Sequence, residues 1–412
     1  MTKRTILRKK ETAEDVYELA YVRTKKAYEL FDHVAVAFSG GKDSTACLNV
    51  AYEVAKDLGK LPLHVYHLDE EAIPYETEEY VRRVSQREGI NLDWYCLPVQ
   101  HRNACSRKEP FWYPWAPEKE HLWCRPMPPE GITNLQNYDF GPIRNRKSWP
   151  DTQGLLFPPK EYGTVGMIMG IRADESITRY RAVARNRIDN YVIPWREGLN
   201  AGNLWKVYPV YDWTTSDVWT APQLHGWDWN KGYDVLDKAG LSWNDQRCSP
   251  AFGEEPIRGL WTFKHCFPEL WEKMVHRVPG ANAAAMYART ELYSYGKKPE
   301  KPEDMSWEQF LAYWIGKFNP ESQQFIASRI RGLIRRHYSV TKEPILESTP
   351  HPESGISWHF LLMLAMRGDF KQRKQPIVQP PGQLREEARR EYEKSLKVEL
   401  AKGTVETLGG AA

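Results

Sequence analysis

An α/β fold is predicted: a doubly wound parallel sheet with a mostly helical C-terminal region. Three observations predict it. Short apolar runs near 34–38, 63–68 and 92–97 alternate with helix-spaced segments, as in strand–helix–strand units. The first run passes directly into a glycine turn and a helix start. After about residue 240 the apolar spacing becomes helical.

The elements follow in order. Residues 12–31 read as a helix, with Leu19, Ala20, Val22, Ala27, Tyr28, Leu30 and Phe31 as its apolar contacts and Thr12 as its cap. Val34, Val36 and Phe38 alternate with Ala35 and Ala37, as expected of a strand covered on both faces. Ser39, Gly40 and Gly41 lack the bulk that would keep a ligand from the backbone, and glycine accepts positive φ. The helix from Asp43 to Leu58 then presents its N-terminus, whose free N–H groups and partial positive charge hold phosphate. Lys42 adds a point charge, and Ser44 and Thr45 follow with hydroxyls.

A second strand at Leu63–Leu68 ends in Asp69-Glu70-Glu71; a helix near Thr77–Glu88 and a third strand near Leu92–Leu97 come next. In such sheets ligands sit beyond the C-terminal strand ends, where residues 39–44 and 69–71 both fall. Residues 100–160 are rich in Pro, Trp and charge; their aromatic content argues for an ordered insertion near the site rather than disorder. Strands are expected again at 164–171 and 206–211, with Thr214 or Thr215 capping a short helix. Ser306 to Gln309 has capping-box spacing, and Asn319-Pro320 is a helix entry for 321–338. The tail helix 383–402 carries Leu384, Ala388, Tyr392, Leu396 and Leu400 on one stripe, suited to docking on its own core.

Composition sets bounds. The chain of 412 residues is long enough for two domains, and its net charge of +3 does not choose a partner. No apolar run is long enough to cross a membrane, and the basic start lacks the apolar stretch of a secretion signal, so a cytoplasmic protein is expected. Six cysteines, at 47, 96, 105, 124, 248 and 266, form no Cys-x-x-Cys pair and read as free thiols. The 17 tryptophans read chiefly as packing.

Transfer chemistry on a phosphate ester requires neutralisation of the leaving group's charge, a bridging metal and an in-line acceptor. The backbone at Gly40 and Gly41, with Lys42 and Ser44, would grip phosphate groups. Asp43 is a candidate for Mg²⁺ or its waters, and Asp69 and Glu70 for metal or the nucleotide sugar. The run from Gly170 to Arg179 places Arg172 and Arg179 at a strand end, where guanidinium suits phosphate or sulfate, and Glu175 is able to orient either.

Ser-Gly-Gly-Lys-Asp-Ser at 39–44 lacks the Walker spacing and resembles the PP-loop of ATP pyrophosphatases, the adenine nucleotide α-hydrolase superfamily. The resemblance implies a Rossmann-like fold, ATP and Mg²⁺ as ligands, and transfer of AMP or scission at the α-phosphate. Gly170-Ile-Arg-Ala-Asp-Glu-Ser-Ile-Thr-Arg179 and Tyr208-Pro-Val-Tyr-Asp-Trp-Thr-Thr-Ser-Asp-Val-Trp219 are similar to segments of the phosphoadenosine phosphosulfate (PAPS) reductase family. Stretches between 226 and 292, among them Gln246-Arg-Cys-Ser-Pro-Ala-Phe-Gly, look like the IbrA-like subgroup of predicted PAPS sulfotransferases, common in phages and mobile elements. That resemblance implies a ParB/sulfiredoxin-like partner protein.

One departure argues against PAPS reductase activity. The family's C-terminal Glu-Cys-Gly-Leu-His-type motif is missing, and no cysteine follows Cys266. Thiol attack needs an accessible, low-pKa thiolate, for which Cys248 beside Arg247 is the one candidate. Related DNA-phosphorothioation proteins carry iron–sulfur clusters, but the spacing of Cys105, Cys124, Cys248 and Cys266 supports one poorly. The helix at 321–338 bears Arg329, Arg331, Arg335, Arg336 and His337 opposite Ile326, Ile330, Leu333 and Ile334; with Arg181, Arg185 and Arg187 it raises DNA or tRNA as a partner.

The expected organisation is a PP-loop domain over 1–225, an IbrA-like extension over 226–300 and a helical region over 301–412, with homo-oligomerisation open. The expected activity is ATP-dependent activation of an acceptor. Its catalytic residues are Lys42, Asp43, Arg172, Glu175 and Arg179, and Ser39–Thr45, Asp69, Glu70 and Gly170 hold the nucleotide. Two readings stand beside it: a sulfonucleotide reductase or sulfotransferase, and a non-catalytic nucleotide-sensing regulator.

Overall fold

The computed structural model describes residues 14–404 except 107, 136–137, 185–189, 197, 199–200, 254–255, 288–300, 368–374 and 380. The chain divides into two compact units, Met1–Met286 and Tyr287–Ala412.

The first unit is built on a six-stranded sheet. Its strands are β1 (His33–Ala37), β2 (Leu63–Leu68), β3 (Ile90–Tyr95), β6 (Val165–Met169), β7 (Val192–Pro194) and β8 (Leu204–Val207), ordered β3-β2-β1-β6-β8-β7. All neighbours are parallel except β7, which runs antiparallel on β8. Between β3 and β6 a small hairpin pairs β4 (His101–Arg102) with β5 (Phe111–Trp112). The expected doubly wound sheet is therefore present. β3 begins two residues before the apolar run does, because Ile90 pairs in register with Leu63. β8 ends at Val207 rather than near 211, and the chain then turns through Pro209 to Asp212.

Alternation along β1 feeds two cores. Val34 and Val36 pack with Cys47, Val50 and Ala51 of helix α2 (Lys42–Asp57), while Ala35 packs with Tyr66, Met167 and Phe157 on the other face. Helix α1 (Val16–Leu30) is capped by Asp15, whose carboxylate accepts the Tyr17 N–H at 2.7 Å; Thr12, the expected cap, lies outside the described residues. Helix α3 (Tyr75–Ser85) starts two residues early because Pro74 supplies its extended N-cap. Short helices α4 (Trp149–Thr152) and α5 (Pro159–Tyr162) close the insertion, and α6 (Ile177–Ala184) follows β6. Helix α7 (Thr215–His225) has Thr214 as cap, and α8 (Gly232–Lys238) lies after it. Helices α9 (Leu260–Cys266), α10 (Pro268–Arg277) and α11 (Ala281–Tyr287) complete this part of the chain.

The second unit contains helices α12 (Trp307–Gly316), α13 (Pro320–Val340), α14 (Trp358–Arg367) and α15 (Gln383–Ala401). Ser306 and Gln309 form the expected capping box, and Asn319 caps α13. Ile326, Ile330 and Leu333 are buried as expected, and Arg331, Arg335 and Arg336 are exposed. His337 departs from the expected basic face: it is buried, bonding the Ser354 hydroxyl at 2.7 Å and the Glu343 carbonyl at 2.8 Å. Arg185 and Arg187 lie outside the described residues. Within its unit α15 docks through Tyr392, fully buried, whose hydroxyl donates to the Pro344 carbonyl at 2.7 Å. Among the described residues no helix is long and apolar enough to cross a membrane.

Candidate functional site

The site begins where β1 hands over to α2. Gly40 turns at φ +72°, a left-handed conformation that favours glycine, and its carbonyl accepts the Asn230 side-chain amide at 2.9 Å. Gly41 is the N-cap of α2, with no side-chain cap. The Ser44 hydroxyl accepts the Ser39 N–H at 3.2 Å, while the Lys42 N–H donates to the Tyr233 hydroxyl at 3.0 Å. Lys42 Nζ donates to the Gln246 carbonyl at 3.2 Å, and burial draws its ammonium pKa down. Thr45 turns inward: its hydroxyl donates to the Gly41 carbonyl at 3.0 Å and meets that of Tyr80, so it braces the helix start.

The second wall comes from the end of β6. A Cβ on Gly170 would lie 2.6 Å from the Asp43 carbonyl carbon, so the strand end rests on the first turn of α2. That contact carries Arg172, only 2% exposed, to Asp43; its Nε donates to Asp43 Oδ1 at 2.5 Å. Glu175 accepts the Arg172 backbone N–H at 3.2 Å and pairs with Arg179.

These walls enclose a cavity of about 700 Å³ beside the C-terminal ends of β1, β2 and β6. Of the residues predicted to act, Ser39, Gly41, Lys42, Asp43, Ser44, Glu70, Gly170, Arg172, Glu175 and Arg179 line it. Gly40 and Thr45 shape the loop from behind. Asp69 lies elsewhere: it is fully buried, with its carboxylate bonded to Arg125, to the Trp94 indole at 2.8 Å and to the Glu71 N–H at 2.8 Å. Burial alone would raise its pKa, but Arg125, His67 and Trp94 outweigh it and hold the carboxyl below its ordinary range. Asp69 therefore ties the end of β2 to the 100–160 insertion. Glu70 does face the cavity and pairs with His101 at 3.2 Å.

Asp43, the expected ligand of Mg²⁺ or its waters, has Oδ1 engaged by the buried Arg172 guanidinium while it still lines the cavity. The neighbouring Glu70 and Glu175 are paired in the same way, with His101 and Arg179. Among the described residues no group of three or more His, Cys, Asp or Glu is arranged to hold a metal ion, and Cys105, Cys124, Cys248 and Cys266 form no cluster.

Residues 230–249 supply site groups that the loop motif alone did not reveal. Tyr233, Asn244, Gln246, Arg247 and Cys248 return to line the cavity. Their signals in the sequence were the stretch Gly226-Trp-Asp-Trp-Asn-Lys-Gly-Tyr-Asp234, which holds Tyr233, and the stretch around Gln246-Arg-Cys-Ser. Cys248 is 3% exposed, and burial pushes its thiol up to about 12 despite nearby Lys42.

Residues 33–235 match the family described as the phosphoadenosine phosphosulfate reductase domain, and residues 240–335 match a domain of unknown function, DUF3440. The chain is 28% identical over 367 residues to the Escherichia coli protein YbdN, covering 86% of this chain and 89% of that one. It is 24% identical over 229 residues to the adenosine 5'-phosphosulfate reductase of Allochromatium vinosum, covering 53% of this chain and 70% of that one. Among solved structures, a PAPS reductase from Candida auris in a phosphate complex aligns at TM-score 0.28 and 13% identity, over 57% of this chain and 95% of that one. The FMN adenylyltransferase of Candida glabrata with FMN and an ATP analogue aligns at TM-score 0.33 and 11% identity, over 55% of this chain and 65% of that one, just under two thirds of its length. Residues 33–235, which carry the sheet and the 39–44 loop, are thus similar to the phosphoadenosine phosphosulfate reductase domain.

Proposed function

We infer that this chain binds ATP, or a closely related adenine nucleotide, with its phosphates on the 39–44 loop, and cleaves it at the α-phosphate to activate an acceptor. The observation that carries this reading is convergence. The uncapped start of α2, Lys42, Arg172 and Arg179 all face one cavity at the C-terminal edge of a parallel sheet.

In the proposed reaction an acceptor oxygen attacks the α-phosphorus. The bond from that phosphorus to the bridging oxygen breaks, pyrophosphate leaves with the electron pair, and the acceptor's proton passes to water. The positive end of α2 and the Lys42 ammonium offset charge on the leaving pyrophosphate. Arg172 is held rigid by Asp43 and by burial, so it offers its charge without reorganising. Arg179, set by Glu175, reaches the same space from the start of α6.

Thiol-dependent reduction of a sulfonucleotide is disfavoured. It requires an exposed thiolate, and the cysteine that lines the cavity is a buried, neutral thiol. In the same proposal the IbrA-like segment 226–300 acts as an extension that completes the site through Tyr233 and Gln246. DNA or tRNA is the proposed acceptor class.

The test is incubation of the full chain with α-labelled ATP, with and without Mg²⁺ and with and without DNA or tRNA, following AMP and pyrophosphate. Wild type is compared with Lys42→Ala. Release of both products, lost in the variant, supports the proposal. ADP as product overturns it, and ATP binding without turnover in every mixture favours the regulator.

A further inference from the structure

A second cavity, of about 410 Å³, lies between α7 and α8. That volume falls within the range of small-ligand sites, roughly 300–1,000 Å³. Trp219, Trp229, Tyr233 and Trp243 supply its rings, and Asp234 and Asp237 its carboxylates. It shares two walls with the nucleotide cavity, Tyr233 and Gln246. Both residues bond to the phosphate loop: the Tyr233 hydroxyl accepts the Lys42 N–H, and the Gln246 carbonyl accepts Lys42 Nζ.

Three details define the ligand. Flat aromatic walls suit a planar ring, because every nucleobase offers a π face for stacking. The carboxylates accept hydrogen bonds, and the side chain of Gln246 already donates to Asp237 Oδ1 at 3.3 Å. Lys238 also lines the cavity, and its ammonium, a donor with no acceptor of its own, calls for an acceptor on the ligand. A quaternary ammonium group would satisfy the rings and the carboxylates but offers Lys238 no acceptor and is repelled by its charge. A base with an exocyclic amino group and a ring carbonyl satisfies all three. Cytosine carries both, whereas thymine turns carbonyls where the carboxylates want a donor.

We propose that this aromatic pocket takes an unpaired, amino-bearing nucleobase of the acceptor, next to the nucleotide on the 39–44 loop. The inference rests on the ATP-dependent reading and names the acceptor's chemistry. Tyr233 is the shared partition: its ring faces the base and its hydroxyl holds the loop.

The experiment uses the full chain and two probes, fluorescein-labelled single-stranded dC6 and dT6, read by anisotropy with saturating ATP present. ATP affinity is measured separately by calorimetry. The expected result is at least fivefold tighter binding of dC6 than dT6. Trp243→Ala, an exposed ring (52%) whose loss leaves the core intact, lowers dC6 affinity at least tenfold and leaves ATP affinity within twofold. Asp237→Asn removes the preference for dC6. Equal binding of dC6 and dT6, or unchanged dC6 binding by Trp243→Ala, overturns the proposal. Displacement of dC6 by millimolar tetramethylammonium, beyond that by equal sodium chloride, also overturns it in favour of a cation cage. Loss of ATP binding with the Trp243-dependent dC6 preference intact would sink the ATP reading while leaving the base pocket standing.

Discussion

Arg172 Nε meets Asp43 Oδ1 at 2.5 Å, joining the end of β6 to the first turn of α2 across 129 residues of sequence. The guanidinium is 3% exposed and the carboxylate 16% exposed, so the pair is largely removed from water. Removing one partner leaves the other charge in a poor solvent. Arg172→Ala should therefore destabilise the fold by roughly 3 kcal/mol, the usual range for a broken buried pair. Urea unfolding would read this. A double-mutant cycle with Asp43→Asn should show coupling, and additive effects would refute the link.

Gly170 makes that contact possible. Gly170→Ala places a methyl against backbone atoms of Asp43 and Ser44, and backbone yields less readily than a flexible side chain. Overpacking of this kind costs about 1–3 kcal/mol. The displaced loop should lose at least tenfold in ATP affinity, measured by calorimetry. Unchanged affinity would mean that the loop tolerates the shift and that its position does not set phosphate binding.

Cys248 should behave as an inert thiol. Burial pushes its pKa to about 12, so the native chain should label slowly at this position with a thiol reagent at pH 7.5, and quickly in urea. Cys248→Ser should keep at least half of ATP turnover. Abolished turnover, with the fold intact by circular dichroism, would restore thiol chemistry to the site.

His33 should give the fold a pH dependence far from the 39–44 loop. Its ring bonds His64 at 2.7 Å and packs on Tyr162, and Asp93 lies beyond His64 at 3.1 Å. Burial, then the neighbouring His64, lower the His33 pKa to about 4. A group that binds its proton less readily when folded stabilises the native state above its unfolded pKa, about 6.5. That contribution is lost as pH falls from about 6.5 towards 4. The melting temperature should decline over this window, and His33→Phe, which keeps a packed ring, should flatten the decline. An unchanged slope would assign the effect elsewhere.

The 39–44 loop was legible because its signal is local. Small residues between an alternating strand and a helix fix the backbone, and the backbone fixes where phosphate would sit. Helix caps at Thr214, Ser306 and Asn319 were legible for the same reason, since each bond spans three residues. Asp69 was misplaced because an acidic strand end looks alike in sequence whether it faces a cavity or a buried arginine 56 residues away. His337 went the same way: helical spacing gives a face, but a loop residue, Ser354, decided what covered it.

By itself, the sequence determined the parallel sheet, the glycine loop at 39–44 and the two arginines that follow β6, all of them patterns within a few residues. Tertiary structure alone decided that Asp43 is held by Arg172, that Cys248 is a buried neutral thiol, and that Tyr233 and Gln246 sit between two cavities. Hydrophobic periodicity encodes which face of an element is buried. Which charged or aromatic group meets it there depends on contacts across more than a hundred residues, and only the folded chain brings those together.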